Sequence, residues 1–149
     1  MSIKLSTAAC LAATSIALAT SAAAQPMELR AVMQDMSKNL QAVVDAISRE
    51  DWNRAAESAA RIVSHPQPSD AEKARIITFF GPDMGRFKAL DSKSSDAAAQ
   101  IERSARAARP QEVIDSVARL QTSCLECHQT FRERFINQFY QPDRITRRQ

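Results

Sequence analysis

The chain has 149 residues, 44% of them hydrophobic, with 20 Lys and Arg against 17 Asp and Glu, for a formal charge of +3. That length suits one compact domain with its own core, and no disulfide framework is needed to hold it. Only 2 Gly and 6 Pro, beside abundant Ala, Arg, Gln and Glu and few β-branched runs, make a helical composition; so mild a positive excess is no footprint of a nucleic-acid binder.

Met1 to Lys4 forms a short basic start, Leu5 to Ala19 an apolar run, and "TSAAAQ" ends in the small-x-small pattern that signal peptidase accepts, with Ala22 and Ala24 at the critical positions. Residues 1–24 are therefore expected to be a cleaved signal peptide, and residues 25–149 the mature domain in the periplasm. The apolar run falls short of the ~20 residues that span a bilayer, which argues against stable membrane insertion. Cys10 comes too early, and without a Leu three residues before it, to be a lipid-attachment cysteine. Cleavage leaves 19 Lys and Arg against 17 acidic residues, a charge of +2, and Cys124 and Cys127 as the only cysteines.

From Pro26 a helical period begins, with Leu29, Met33, Met36, Leu40, Val43 and Ile47 at spacings of three and four. A second helix is expected after Asp51 as N-cap, burying Trp52, Ala56, Ala59 and Val63 and ending before His65-Pro66-Gln67-Pro68. Ser69 to Glu72 reads as a capping box that opens a short helix with Ala74, Ile77 and Phe80 inward, closed by Gly81-Pro82. A third long helix runs from Met84 or Phe87 to Ala108, with a break allowed in its polar stretch Asp91–Ser95. Pro110 suits the first turn of a fourth, whose stripe Val113, Ile114, Val117, Leu120, Cys124, Cys127, His128, Phe131 and Phe135 keeps its period through a cysteine motif. No stretch alternates as a strand would. The expected fold is all-α, an antiparallel four-helix bundle with an extra short helix in the connection between the second and third long helices.

The chemistry lies in "CLECHQTFR", residues 124–132. On a helix, positions i, i+3 and i+4 share a face, so Cys124, Cys127 and His128 approach one object. Two thiols can add to the two vinyl groups of a haem while the imidazole takes the iron. Other uses of the pair fit less well. A thioredoxin-like dithiol belongs at the start of a helix in a βαβ setting. Structural zinc takes four ligands, and the mature chain offers only Cys124, Cys127, His128 and the distant His65. Burial as plain core residues explains the cysteines but not a His on the same stripe. Across the helices, Met33 and Met36 are candidates for a sixth iron ligand, although Met on an apolar stripe is also ordinary core filler. The basic tail of Arg144, Arg147 and Arg148 reads as a solvated end, with docking of an acidic partner as the alternative.

With Phe131 and Arg132 the motif has the form C-x-x-C-H-x-x-[FY]-R, and the chain resembles the class II cytochromes c, the cytochrome c′-like proteins. The resemblance extends over the mature chain through the order of four helices, the late motif and a first helix with Met or Leu facing the haem. "ELRAVMQDMSKNL" is similar to the first helix of low-spin members, and the matching methionine is Met33, with Met36 in reserve; Arg30 precedes Met33 by three residues where many c′-type members have four. The resemblance implies one covalently bound haem c held through two thioethers, His128 and Met33 on the iron, and Arg132 at the haem edge. It further implies a one-electron carrier, not an enzyme, that meets redox partner proteins. Relatives occur as monomers and as homodimers formed through their first helices. The alternative within the same family is a five-coordinate protein that binds nitric oxide or carbon monoxide, with Met33 merely in the core.

Overall fold

The computed structural model describes residues 27–140, so the expected signal peptide, Cys10 and the tail arginines lie outside the described residues. Among them the chain is all-α: α1 (Glu28–Ser48), α2 (Trp52–Val63), α3 (Asp70–Phe80), α4 (Met84–Arg106), α5 (Pro110–Cys127) and α6 (Glu133–Tyr140). A 3-10 turn (Gly81–Asp83) joins α3 to α4, and a π-helical turn (His128–Arg132) joins α5 to α6. The extra short helix expected after the second long one is α3. The backbones of α1 and α2, of α2 and α4, and of α4 and α5 lie against each other, whereas those of α1 and α5 scarcely approach.

The buried stripes differ from the expected ones in informative ways. In α1 the inward residues are Val32, Asn39, Val43 and Ala46, while Leu29, Met36, Leu40 and Ile47 are half-buried and Met33 is 37% exposed. Buried Asn39 is satisfied within its own helix, donating to the Asp35 carbonyl at 3.0 Å and carboxylate at 3.1 Å. In α2 the Asp51 carboxylate accepts from the Arg54 amide at 3.0 Å, as expected of an N-cap, but Ile62 goes inside where Val63 was expected. The expected inward face of α3 is wrong at two of three places: Ala74 and Ile77 face outward, and Ile76 and Phe80 are buried. The reason is Glu72, one turn before Ile76, which is drawn inward and sets the face at 72, 76 and 80. No break interrupts α4, because Ser94 turns inward and bonds the Leu90 carbonyl at 3.2 Å and the Ser123 hydroxyl at 3.0 Å.

Glu72 and Glu28 exchange roles across two helices. The Glu72 carboxylate, 5% exposed, accepts from the Glu28 amide at 2.7 Å and the Leu29 amide at 2.6 Å, capping α1. The Glu28 carboxylate in turn accepts from the Ser69 amide at 2.6 Å, the donor that Glu72 would serve in an ordinary capping box. Ser69 completes the arrangement by accepting from the Glu72 amide at 3.4 Å. Two helix N-termini, each with free amides and a positive dipole end, are thus neutralised by each other's acids.

The two tight links α1–α2 and α4–α5 are built alike. The amides of Asp51 and Arg109 reach back five residues to the Ala46 and Ser104 carbonyls at 2.9 and 3.0 Å, and those of Glu50 and Ala108 reach Ile47 and Ala105. This is the Schellman arrangement, which puts the intervening residue in the left-handed region; here Glu50 (φ 56°) and Ala108 (φ 50°) occupy it instead of glycine.

Two consequences are measurable in urea unfolding. Ala108→Gly relieves left-handed strain of about 1–2 kcal/mol against a glycine entropy cost of about 0.5–1 kcal/mol, and stabilises the protein by roughly 0.5–1 kcal/mol. Glu72→Ala leaves two amides of α1 without their acceptor and lowers stability by about 1–3 kcal/mol. The Ser69 amide and hydroxyl hold the Glu28 carboxyl below its usual range. Its contribution is whole above the ordinary carboxylate pKa and is lost as pH falls through the lowered value, so Glu28→Gln flattens the acid-side decline in stability.

Candidate cofactor site

The buried side chains fall into two clusters of unlike character. The first, built from α1, α2, α4 and α5, is aliphatic and small: Val43, Ala46, Ala55, Ala56, Ala59, Ile62, Ala97, Ala98, Ile101, Ala105, Val113, Val117 and Leu120. The second is aromatic. Phe80, Phe131 and Phe139 are buried there with Met27, Ile76 and Leu90, and Phe79, Phe87, Phe135 and Tyr140 pack against them. All 6 phenylalanines of the chain and its 1 tyrosine are in that cluster. Their rings meet edge-on or stacked, with Phe80 and Phe87 at 4.4 Å between centroids and Phe80 and Phe131 at 4.9 Å.

At this aromatic end a cleft of about 690 Å³ opens, within the ~300–1,000 Å³ of sites that take small molecules and cofactors. One wall is α1, with Leu29, Arg30, Met33, Gln34 and Ser37. The opposite wall is Cys127, His128, Phe131 and Arg132, continued by Phe135, Ile136 and Tyr140. Phe80 and Phe87 complete the lining.

Of the residues singled out in the sequence, Cys127, His128, Arg132 and Met33 line this one cleft. Cys124 does not line it; it is half-buried one turn earlier and packs on the aliphatic cluster. Met36, also half-buried, packs on that same cluster and is not among the cleft residues. Met33 is thus the α1 methionine that lines the cleft with the motif residues. His65 stands elsewhere, with Nδ1 2.9 Å from the Ile62 carbonyl at the end of α2. Cys124 and Cys127 are both free thiols. Among the described residues no three or more His, Cys, Asp and Glu side chains gather as a metal cage.

The electrostatics follow from partial burial. Burial pushes the Cys124 thiol up, opposed by the Ser94 hydroxyl. Burial also raises Cys127, assisted by the carboxylate of Asp91 and by Cys124. His128 is lowered, first by burial and then by the Arg132 guanidinium, which favours the neutral imidazole that a metal requires. Arg30 stacks over the Tyr140 ring at 5.5 Å and Arg134 over Phe131 at 5.6 Å.

Several features were not read from the sequence. The fourth long helix was expected to run unbroken through the motif, but residues 128–132 form a π turn; such turns often mark functional sites, and no residue type announces them. In a π turn a step of four residues stays closer to one face than in an α-helix, which helps His128, Arg132, Ile136 and Tyr140 share a wall. That four-residue spacing was the available signal for Ile136 and Tyr140. Arg30 and Gln34 flank Met33 and could have been found from it. No family model, curated protein or solved structure matches the chain.

The 1 tyrosine offers a direct measurement. Burial raises the Tyr140 phenol, opposed by the Met27 amide and Arg30. Ultraviolet titration of phenolate absorbance should give a midpoint above the ordinary ~10. The associated stability is whole below that ordinary value and is lost as pH rises through the folded one.

Proposed function

We propose that this protein is an exported, periplasmic one-electron carrier of the class II cytochrome c type, an antiparallel four-helix bundle with one haem c. A single observation carries the reading: Cys127 and His128 of the attachment motif and Met33 of the opposite helix line the same apolar, aromatic-walled cleft.

Cys127, His128 and Met33 fit the group from the cleft walls, and Cys124, half-buried one turn earlier against the aliphatic cluster, would have to turn toward it. Cys124 and Cys127, three residues apart on one helix, would hold the haem through two thioethers. His128 and Met33 would be the iron ligands from the two walls, with Met36 the reserve by sequence alone. Neutral imidazole and thioether are the pair that favours the reduced state and raises the potential. When bound, the haem supplies a one-electron iron couple.

The chain's own residues do the rest. Phe80, Phe87, Phe131 and Phe135 exclude water from the cleft and present flat apolar surface to a planar ring. Arg132, at the cleft wall, offers a positive charge that would pair with a haem propionate. No general base or nucleophile poised for bond-making is required, which is why the reading is a carrier and not an enzyme. The partners are redox proteins, and homodimerisation remains open to the same fold.

A five-coordinate gas-binding protein is the second reading, in which Met33 leaves the iron free for nitric oxide or carbon monoxide. The visible spectrum of the reduced, haem-matured protein separates them. Sharp split α and β bands, little changed by carbon monoxide, are expected. Met33→Ala should convert the spectrum to a broad high-spin form that responds to the gas, while Met36→Ala should leave it low-spin and reduce stability by about 2–5 kcal/mol at most. A high-spin wild type would sink the electron-carrier reading; failure to attach haem at all would sink both.

A further inference from the structure

The first turn of α1 has no cap of its own. Met27 stands at the N-cap position without a side-chain hydrogen bond, yet the Glu28 and Leu29 amides find the two oxygens of one buried carboxylate, Glu72, at 2.7 and 2.6 Å. A carboxylate held by two amides fixes the height and the rotation of a helix, because both bonds are charge-assisted and directional. Met27 and Leu29 also pack on the aromatic cluster, but apolar contact is non-directional and lets a helix slide or turn. Rotation matters in this helix. Leu29 lines the cleft and Met33 follows it one turn on, with Gln34 and Ser37 beyond. At about 3.6 residues per turn, roughly 60° separates Met33 from Met36, which packs on the aliphatic cluster. Glu72 is itself fixed, since Ile76 and Phe80, one and two turns further along α3, are buried in the aromatic cluster and Phe80 lines the cleft. One short helix thus meets the cleft at its end and at its start grips the wall that carries Met33.

We infer that Glu72 is a positioning residue for the sixth iron ligand: its grip on the first turn of α1 holds the Met33 thioether toward the iron. The inference rests on the haem reading above. It gives a part in the ligation to a residue outside both the attachment motif and the cleft lining.

Carbon monoxide competes with Met33 for reduced iron, so its apparent affinity follows the fraction of molecules whose thioether has left. In the full-length, haem-loaded chain, Glu72→Gln keeps the size of the side chain but turns an NH2 group toward one of the two amides. It should raise that affinity about tenfold, the equivalent of a hydrogen bond to a charged group, with the haem still covalently attached. Asp51→Ala is the control: it removes the α2 cap, a bond from the Arg54 amide at 3.0 Å, and should leave the affinity unchanged. Coupling between cap and ligand is reciprocal, so loaded Met33→Ala should speed hydrogen exchange of the Glu28 and Leu29 amides about tenfold over wild type, while the Arg54 amide keeps its rate. Wild-type affinity in Glu72→Gln, an equal rise in Asp51→Ala, or unchanged exchange in Met33→Ala overturns the positioning role and leaves the haem reading standing. Wild-type protein that is high-spin when loaded, or that attaches no haem, overturns this role together with the reading it rests on. The exchange comparison changes nothing at Glu72, so it decides the matter even where that variant folds poorly.

Discussion

Everything at the candidate site depends on an uneven distribution of side-chain volume along the helices. Seven of the thirteen buried residues in the aliphatic cluster are alanines, and alanine lets helix backbones approach closely. At the other end the cluster is made of rings, and the large bodies of Phe80, Phe131 and Phe139 occupy the space between helices. A stack of elements close-packed at one end and propped by aromatic rings at the other must open somewhere. It opens between α1 and the end of α5, where Cys127, the π turn and α6 form the facing wall, and there the cleft lies.

The open end would be a weakness without a tie. α3 and the start of α1 bury little together by themselves, but Glu72 and Glu28 cap each other's helices, and Met27 and Ile76 enter the aromatic cluster beside them. The charges are worth more here than on a free surface because each meets the amides of a helix N-terminus and one of them is buried. Arg134 adds a link from α6 to Asp83 at 2.9 Å, though both side chains are about half exposed and such a pair contributes little. The wall carrying Met33 is therefore positioned from its N-terminus by α3, and the motif wall by the aromatic cluster beneath Phe131.

How much of this was legible in the sequence depends on the range of the interaction. Helix identity and order were, because amphipathic period, Asp51, Ser69, Gly81-Pro82 and Pro110 are local signals. Motif and period together led to the expectation that Cys124, Cys127 and His128 approach one object, and the family resemblance set Met33 opposite them; Cys127, His128 and Met33 line one cleft, while Cys124 packs on the aliphatic cluster. What was missed is non-local or backbone-driven. Ser69 and Glu72 were read as a capping box, and the Ser69 hydroxyl does accept from the Glu72 amide; the Glu72 carboxylate, however, has its partners 43 and 44 residues away, and the face of α3 turned with it. The tight links were readable as turns, but not as turns that place Glu50 and Ala108 in a conformation glycine usually takes. The π turn at His128–Arg132 leaves no compositional trace. Met33 and Met36 illustrate the limit most sharply. Both satisfy a three-and-four period, and only the wedge between α1 and α5 separates them, sending one to the cleft and the other to the aliphatic core.

The same division separates what the attachment motif can decide from what it cannot. Its cysteines and histidine lie within four residues of one another at the junction of α5 and the π turn, so their mutual placement is set locally. The opposite wall has no such independence. Met33 reaches the cleft only while small residues hold α1 close at one end, rings part it from α5 at the other, and Glu72 anchors its first turn. In the proposed haem protein, substitutions far from the iron, in the alanine seam or at the α3 cap, would therefore act first on the sixth ligand and leave the covalent attachment intact. On the proposed reading, the choice between electron carrier and gas binder would thus be made by packing across the fold, and attachment of the cofactor by the motif.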